Sequence, residues 1–142
     1  LCQQHFSKSE LIKQHKKSID SGETSILFGV DGLSEGIDLP KHYLTCVVIT
    51  KLPFPRLSSP LLSYETMCAK ALNLNAFSSL MLPMCSQKLI QSVGRLIRTE
   101  EDHGEVIVLD PRVNTNRYGS QLLSHLPMYK KEVGMPSKRL VN

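Results

Sequence analysis

The sequence predicts an α/β fold, a parallel sheet with helices on both faces. Two observations predict it. Three short runs, Ser25-Ile26-Leu27-Phe28-Gly29-Val30, Leu44 to Thr50 and Glu105 to Asp110, are apolar with none of the alternation of a half-buried strand. Stretches with helical periodicity and helix punctuation separate them, the order expected of strands joined by crossover helices. In such folds ligands gather at the carboxyl ends of the strands. Asp31 to Asp38, Lys51 to Arg56 and Asp110 to Arg112 are therefore the segments to watch.

The elements follow in order. Ser7-Lys8-Ser9-Glu10 has capping-box spacing, with Ser7 as N-cap and Glu10 three residues on. It opens a polar helix to about Ile19 that turns Leu11, Ile12, His15 and Ile19 inward, and Ser21-Gly22 stops it. Strand Ile26 to Val30 leads into a turn-rich stretch ending at Pro40. The next strand is β-branched at Thr45, Val47, Val48, Ile49 and Thr50, and Pro53 and Pro55 end it. A long connection, Arg56 to Pro83, holds a helix around Tyr64 to Leu72. A stronger helix spans Met84 to Thr99, and a last one runs from Arg117 to Leu126, closed by Pro127.

The 142 residues are 41% hydrophobic and 21% charged, enough for one core without metal or disulfide staples. The net charge of +4 suits a polyanionic partner without demanding one, and Lys130, Lys131, Lys138 and Arg139 crowd the C-terminal end. No apolar run is long enough to span a bilayer. Cys2, Cys46, Cys68 and Cys85 have no C-x-x-C pair and no histidine at metal-ligand spacing. They read as reduced structural cysteines, Cys46 as a small hydrophobe within its strand, and a reducing cytoplasm is the expected compartment. The chain opens at Leu1 rather than Met, and a piece of a longer polypeptide is expected.

On a helix over Met84 to Thr99, Gln91, Arg95 and Arg98 fall within about 60° of one another, with Gln87 beside them. Leu89, Ile90, Val93, Leu96 and Ile97 fill the opposite side. Gly94 lies between the faces, where a side chain would hinder a neighbouring backbone. Two readings are open: an amphipathic surface helix with solvated arginines, or a guanidinium row built to capture phosphate oxygens. An arginine aimed at a γ-phosphate stabilises the charge that spreads there during phosphoryl transfer. Ser34-Glu35-Gly36-Ile37-Asp38-Leu39-Pro40 likewise reads either as a glycine-bearing turn with solvated acids or as a ligand loop at a strand end.

Gln91-x-x-Gly94-Arg95-x-x-Arg98 resembles motif VI of superfamily 2 helicases. The longer string Leu89 to Thr99 is similar to that of the DinG branch, related to the XPD iron–sulfur helicases. Glu35-Gly36-x-Asp38 resembles motif V of the same branch, with Gly32 where relatives often carry Ser. Lys51-Leu52-Pro53-Phe54-Pro55, Leu82-Pro83, Asp110-Pro111-Arg112, Tyr118-Gly119 and Leu126-Pro127 continue the match, and Asn75-Ala76-Phe77 resembles N-P-F with its proline lost.

This resemblance implies a RecA-like helicase domain 2 over residues 1–127, without its first strand, which would carry motif IV ahead of Leu1. Residues 128–142 are then a basic tail. It implies that Arg95 and Arg98 reach the γ-phosphate as arginine fingers, and that Gln91, Gly94, Glu35, Gly36 and Asp38 belong to an ATP site shared with an N-terminal helicase domain. ATP and Mg²⁺ are the implied ligands, with a 4Fe-4S cluster in that other half and none in this chain. Single-stranded or forked DNA is the implied partner. Lys51, Arg56, Arg112, Arg117 and Tyr118, near strand ends, are the candidates for its track.

The sequence holds no G-x-x-x-x-G-K-[ST] phosphate loop and no acid pair for Mg²⁺. It should supply one wall of an ATP site and not hydrolyse ATP alone. The alternative is a non-catalytic nucleic-acid-binding module derived from a helicase.

Overall fold

The structure, a computed structural model, describes residues 1–2, 6–30, 38–96 and 103–126. Helix α1 spans Lys8–Asp20, and both halves of its capping box form: Ser7 Oγ accepts from the Glu10 backbone, and Glu10 Oε2 accepts from Ser7 N at 3.2 Å. Leu11 and His15 are its buried residues. The His15 ring lies 2.8 Å from Ser25 Oγ through Nδ1 and 2.8 Å from the Tyr43 carbonyl through Nε2. A carbonyl only accepts, so Nε2 carries the proton and, in the neutral ring, Nδ1 accepts from the serine hydroxyl. One buried imidazole thereby ties α1 to the start of the 25–30 segment and to a short 3₁₀ turn, Lys41–Tyr43.

Strand β1, Cys46–Ile49, pairs in parallel with β2, Glu105–Val108, Cys46 opposite Glu105 and Ile49 opposite Val108. Two expectations are corrected here. Among the described residues, Ser25 to Val30 makes one parallel bridge, Phe28 to Cys2, and is not a strand of this sheet, and Phe28 and Val30 are 63% and 71% exposed. Neither strand is buried on both faces: burial alternates, with Val47, Ile49, Val106 and Val108 partly covered and Cys46, Val48, Glu105 and Ile107 exposed. Cys46 is therefore not an interior hydrophobe. The physical reason is that the helices packed in the core lie against one face only among the described residues.

Parallel strands need a long crossover, and residues between β1 and β2 provide it. Helix α2 spans Pro60–Ala71. It starts one turn ahead of the expected Tyr64, because proline at the first helical position has its φ already set and no N–H to leave unsatisfied. A π-helical turn, Phe77–Met81, follows, begun by Asn75, whose Oδ1 accepts from Phe77 N and Ser78 N at 3.0 and 3.2 Å. It runs into α3, Leu82–Val93, which buries Leu82, Cys85, Ser86, Leu89 and Val93. After β2 come a single turn, α4 (Arg112–Thr115), and helix α5 (Arg117–Ser124). Leu82, Cys85 and Leu89 of α3, Leu122 of α5 and Leu52 form the core, against which Ile49 and Val108 of the sheet pack.

Helix α3 stops at Val93, short of the expected Thr99. Gly94 caps it, its N–H bonding the Ile90 carbonyl at 2.8 Å, and Leu96 N then bonds the Val93 carbonyl at 3.0 Å in a tighter turn. No neighbouring segment approaches Gly94 among the described residues; a Cβ there would meet the Ile90 carbonyl of its own helix. Among the described residues, Gly94 marks the end of the helix. Among the described residues no helix is long and apolar enough to cross a membrane.

Candidate functional site

Beyond the C-terminal end of β1 the chain continues as Thr50 to Arg56, where two prolines remove the donors a strand would need. This stretch forms one wall of a groove of about 810 Å³ that extends along β1. Helix α2 supplies Leu61, Leu62 and Glu65, and the last turns of α3 supply Lys88, Gln91 and Ser92, with Arg95 just beyond. Val30 and Leu39, on either side of residues 31–37, line it too.

Four cations, Lys51, Arg56, Lys88 and Arg95, and one carboxylate, Glu65, stand among the described lining residues. Cations gathered at a strand end in a partly enclosed cleft raise the local concentration of anions. Glu65 Oε2 is buried with no hydrogen-bond partner among the described residues. The sequence reasoning overlooked Lys88, although Lys88, Gln91 and Ser92 carry the i, i+3, i+4 spacing of one helix face.

The groove gathers some of the predicted site residues and leaves others apart. Gln91 and Arg95 line it with Lys51 and Arg56. Arg95 sits in the turn after α3, so the helical wheel does not govern its direction. Gln87 faces a second, smaller groove between α3 and α5, of about 340 Å³, which Gln91 also lines. Asp38 is exposed and not among the lining residues, and Gly94 is exposed at the end of α3. Arg98, Glu35 and Gly36 lie outside the described residues. Arg117, the first residue of α5, is exposed and away from the groove wall.

Arg112 and Tyr118 are placed differently from open groove cations and stacking platforms. Arg112 Nε and Nη2 donate to the two oxygens of Asp110 at 2.9 and 2.6 Å, a two-pronged pair. Asp110, 5% exposed, also accepts from Arg112 N at 3.1 Å and from Leu52 N at 2.8 Å. The guanidinium beside it, with these backbone donors, holds its carboxyl far below the usual carboxylate range. The Arg112 guanidinium lies 5.3 Å from the Phe54 ring centre. Phe54, Phe77 and Tyr118 pack together with ring centres 5.2 to 5.7 Å apart, and Asn116 Nδ2 donates to Tyr118 Oη at 2.7 Å. Phe54 is a packing anchor. Asp110 was missed as a site residue because its link to Leu52 spans 58 positions.

A resident metal or cluster does not fit the described residues. No three His, Cys, Asp or Glu side chains come together among them. Cys85 is fully buried, its thiol pushed up to about 11 by burial, whereas Cys46 is exposed. Among the described residues the thiols do not have the grouping that an iron–sulfur cluster requires.

The groove lies at the carboxyl end of a parallel strand in an α/β domain, the place where ligands of such folds gather. The family model described as "Helicase C-terminal domain" matches residues 1–129, and the chain belongs to that family. Its sequence is of the DinG type. It is 43% identical over 133 residues to the ATP-dependent DNA helicase DinG of Photobacterium profundum, covering 94% of this chain and 19% of that protein. Identity to the proteins of the same name is 41% in Salmonella typhimurium and 39% in Escherichia coli K12, each over 132 residues, 93% of this chain and 18% of those proteins. The chain thus spans about a fifth of the length of these relatives.

Proposed function

We propose that this chain is the C-terminal motor domain of an ATP-dependent DNA helicase and forms one wall of an ATP site completed by an N-terminal helicase domain. The observation that carries the reading is the meeting of Gln91 and Arg95 with Lys51 and Arg56 in one groove at the end of β1. Membership of the helicase C-terminal domain family and the activity for which the DinG relatives are named support it. In this reading the domain is RecA-like, ends near residue 127 and carries a basic tail over 128–142.

Arg95 and Arg98 stabilise the charge that develops on the γ-phosphate as ATP is cleaved. Gln91 and Gly94, with Glu35, Gly36 and Asp38 of the preceding loop, shape the same wall. Lys51, Arg56 and Arg117 lay down part of a track for single-stranded or forked DNA, with Arg112 and Tyr118 behind it. Mg²⁺, and the 4Fe-4S cluster of iron–sulfur helicases, belong to the other half of the protein, which works in the cytoplasm.

The test is Arg98→Ala in the full-length protein. The rate of DNA-stimulated ATP hydrolysis should fall about 10³-fold or more, the scale of an arginine finger. Near-normal turnover would sink the assignment. Arg95→Ala should fall alike.

A further inference from the structure

The groove loop holds its shape through a residue that does not line the groove. Lys51 and Arg56 are exposed and belong to a segment interrupted by Pro53 and Pro55. Beyond Ile49 that segment has left the strand ladder, whose last bond is Leu109 N to the Ile49 carbonyl at 2.9 Å. The next buried donor is Leu52 N, and the Asp110 carboxylate takes it at 2.8 Å. The same carboxylate grips Arg112 with both oxygens, and the Arg112 guanidinium lies against Phe54, two residues on from Leu52. Asp110 thus fastens the loop at Leu52 directly and at Phe54 through Arg112, between the two cations.

We propose that Asp110 is a positioning residue for polyanion capture: it fixes the loop so that Lys51 and Arg56 stand in register at the groove, and Arg112 serves it as a brace. The inference rests on the reading of Lys51 and Arg56, at the edge of that groove, as part of a DNA track. A carboxylate is needed rather than any acceptor, because an amide could hold the Leu52 N–H but has one acceptor oxygen and no charge, so it could not grip the guanidinium on two prongs. The shape of the wall at Leu52 and Phe54 follows from the pair as a unit.

Single-stranded DNA affinity of the full-length protein is measured across a salt series for wild type, Asp110→Asn, the double substitution Lys51→Ala with Arg56→Ala, and the combined triple variant. Removing one phosphate-binding cation lowers the slope of log affinity against log salt by about 0.7. Asp110→Asn should weaken binding about tenfold and lower the slope, as the Lys51/Arg56 double variant does. The triple variant should be no weaker than the double variant, since a loop without its cations has nothing left to position.

A folded Asp110→Asn protein with wild-type affinity and slope, or additive losses in the triple variant, would overturn the positioning role. If Asp110→Asn does not fold, Arg112→Lys carries the same expectations, because it keeps the charge and gives up the two-pronged grip. Failure of the wild-type protein to bind single-stranded DNA would overturn the track reading itself, and this inference with it. A Lys51/Arg56 effect without an Asp110 effect would overturn this inference alone.

Discussion

At the scale of single residues, Asp110 and Cys85 carry the clearest consequences. The Asp110 carboxyl is held below its ordinary range by Arg112 and by two backbone donors. A carboxylate whose folded pKa is depressed contributes stability above its unfolded pKa, about 3.9, and loses it as pH falls toward the folded value. Thermal unfolding of the wild-type chain should therefore show a Tm that drops steadily from roughly pH 5 downward. Asp110→Asn should flatten that dependence; an equally steep fall would show that other carboxylates carry it. Because the Arg112 side chain is 43% exposed and partly screened, losing the pair should cost about 2–3 kcal/mol at neutral pH, toward the low end for breaking a buried pair. Thiol labelling gives a second check. A maleimide should modify exposed Cys46 in the native chain and reach Cys85 only on unfolding, since burial both blocks that thiol and keeps it protonated. Native labelling of Cys85 at the rate of Cys46 would contradict the packing of α3.

At the scale of elements, α4 and α5 meet closely at Gly119. Gly119 approaches the Val113 backbone so closely that a methyl group would run into its carbonyl, and backbone cannot swing aside as a side chain can. Gly119→Ala should destabilise the chain by about 1–3 kcal/mol, read as a lower denaturation midpoint with an unchanged slope. An unaltered midpoint would mean that α4 and α5 are spaced more loosely. This is also the scale at which sequence reasoning divides. The capping box of α1 was legible because Ser7 and Glu10 interact across three positions. The burial of Leu11 and His15 in α1 and of Leu89 and Val93 in α3 followed from spacing, whereas Ile90, expected on the same aliphatic side, is exposed and Ile97 lies outside the described residues. The end of α3 was misread because apolar periodicity continues through Leu96 and Ile97, while Gly94 weakens the helix at the backbone, which periodicity does not register. The 25–30 run was apolar enough for a strand, yet composition does not say which neighbour a strand pairs with or whether a second face is covered. For the candidate site, helix spacing reached Gln91, which lines the groove from α3, while Arg95 lines it from the turn beyond the helix, and Lys51 and Arg56 were marked by their place at a strand end. The grip of Asp110 on Leu52 was not, since it joins residues brought together only by the parallel register of β1 and β2.

For the molecule as a whole, exposed apolar side chains of the sheet and of the 25–30 segment dominate behaviour. Ile26, Phe28, Val30, Val48, Ile107 and Leu109 are all exposed, a proportion of apolar surface that favours self-association. The isolated chain should bind a hydrophobic dye strongly and precipitate at modest concentration. Val48→Lys with Ile107→Glu, directly opposite each other in the register, should reduce both effects while leaving the far-ultraviolet circular dichroism unchanged. Dye binding that does not respond would place the exposed apolar surface elsewhere.

The parallel register has a consequence in time as well as in space. Cys46 finds Glu105 only after α2, the π-helical turn and α3 have been placed between them, and Leu122 closes the core later still. Such a long loop must be closed before the interactions that reward closure exist, so folding of this chain should be slow beside a helical bundle of equal size. During synthesis, β1 waits for β2 until the ribosome has delivered the residues between them. That interval is when its exposed Val48 is most open to wrong partners, and when a chaperone would matter most.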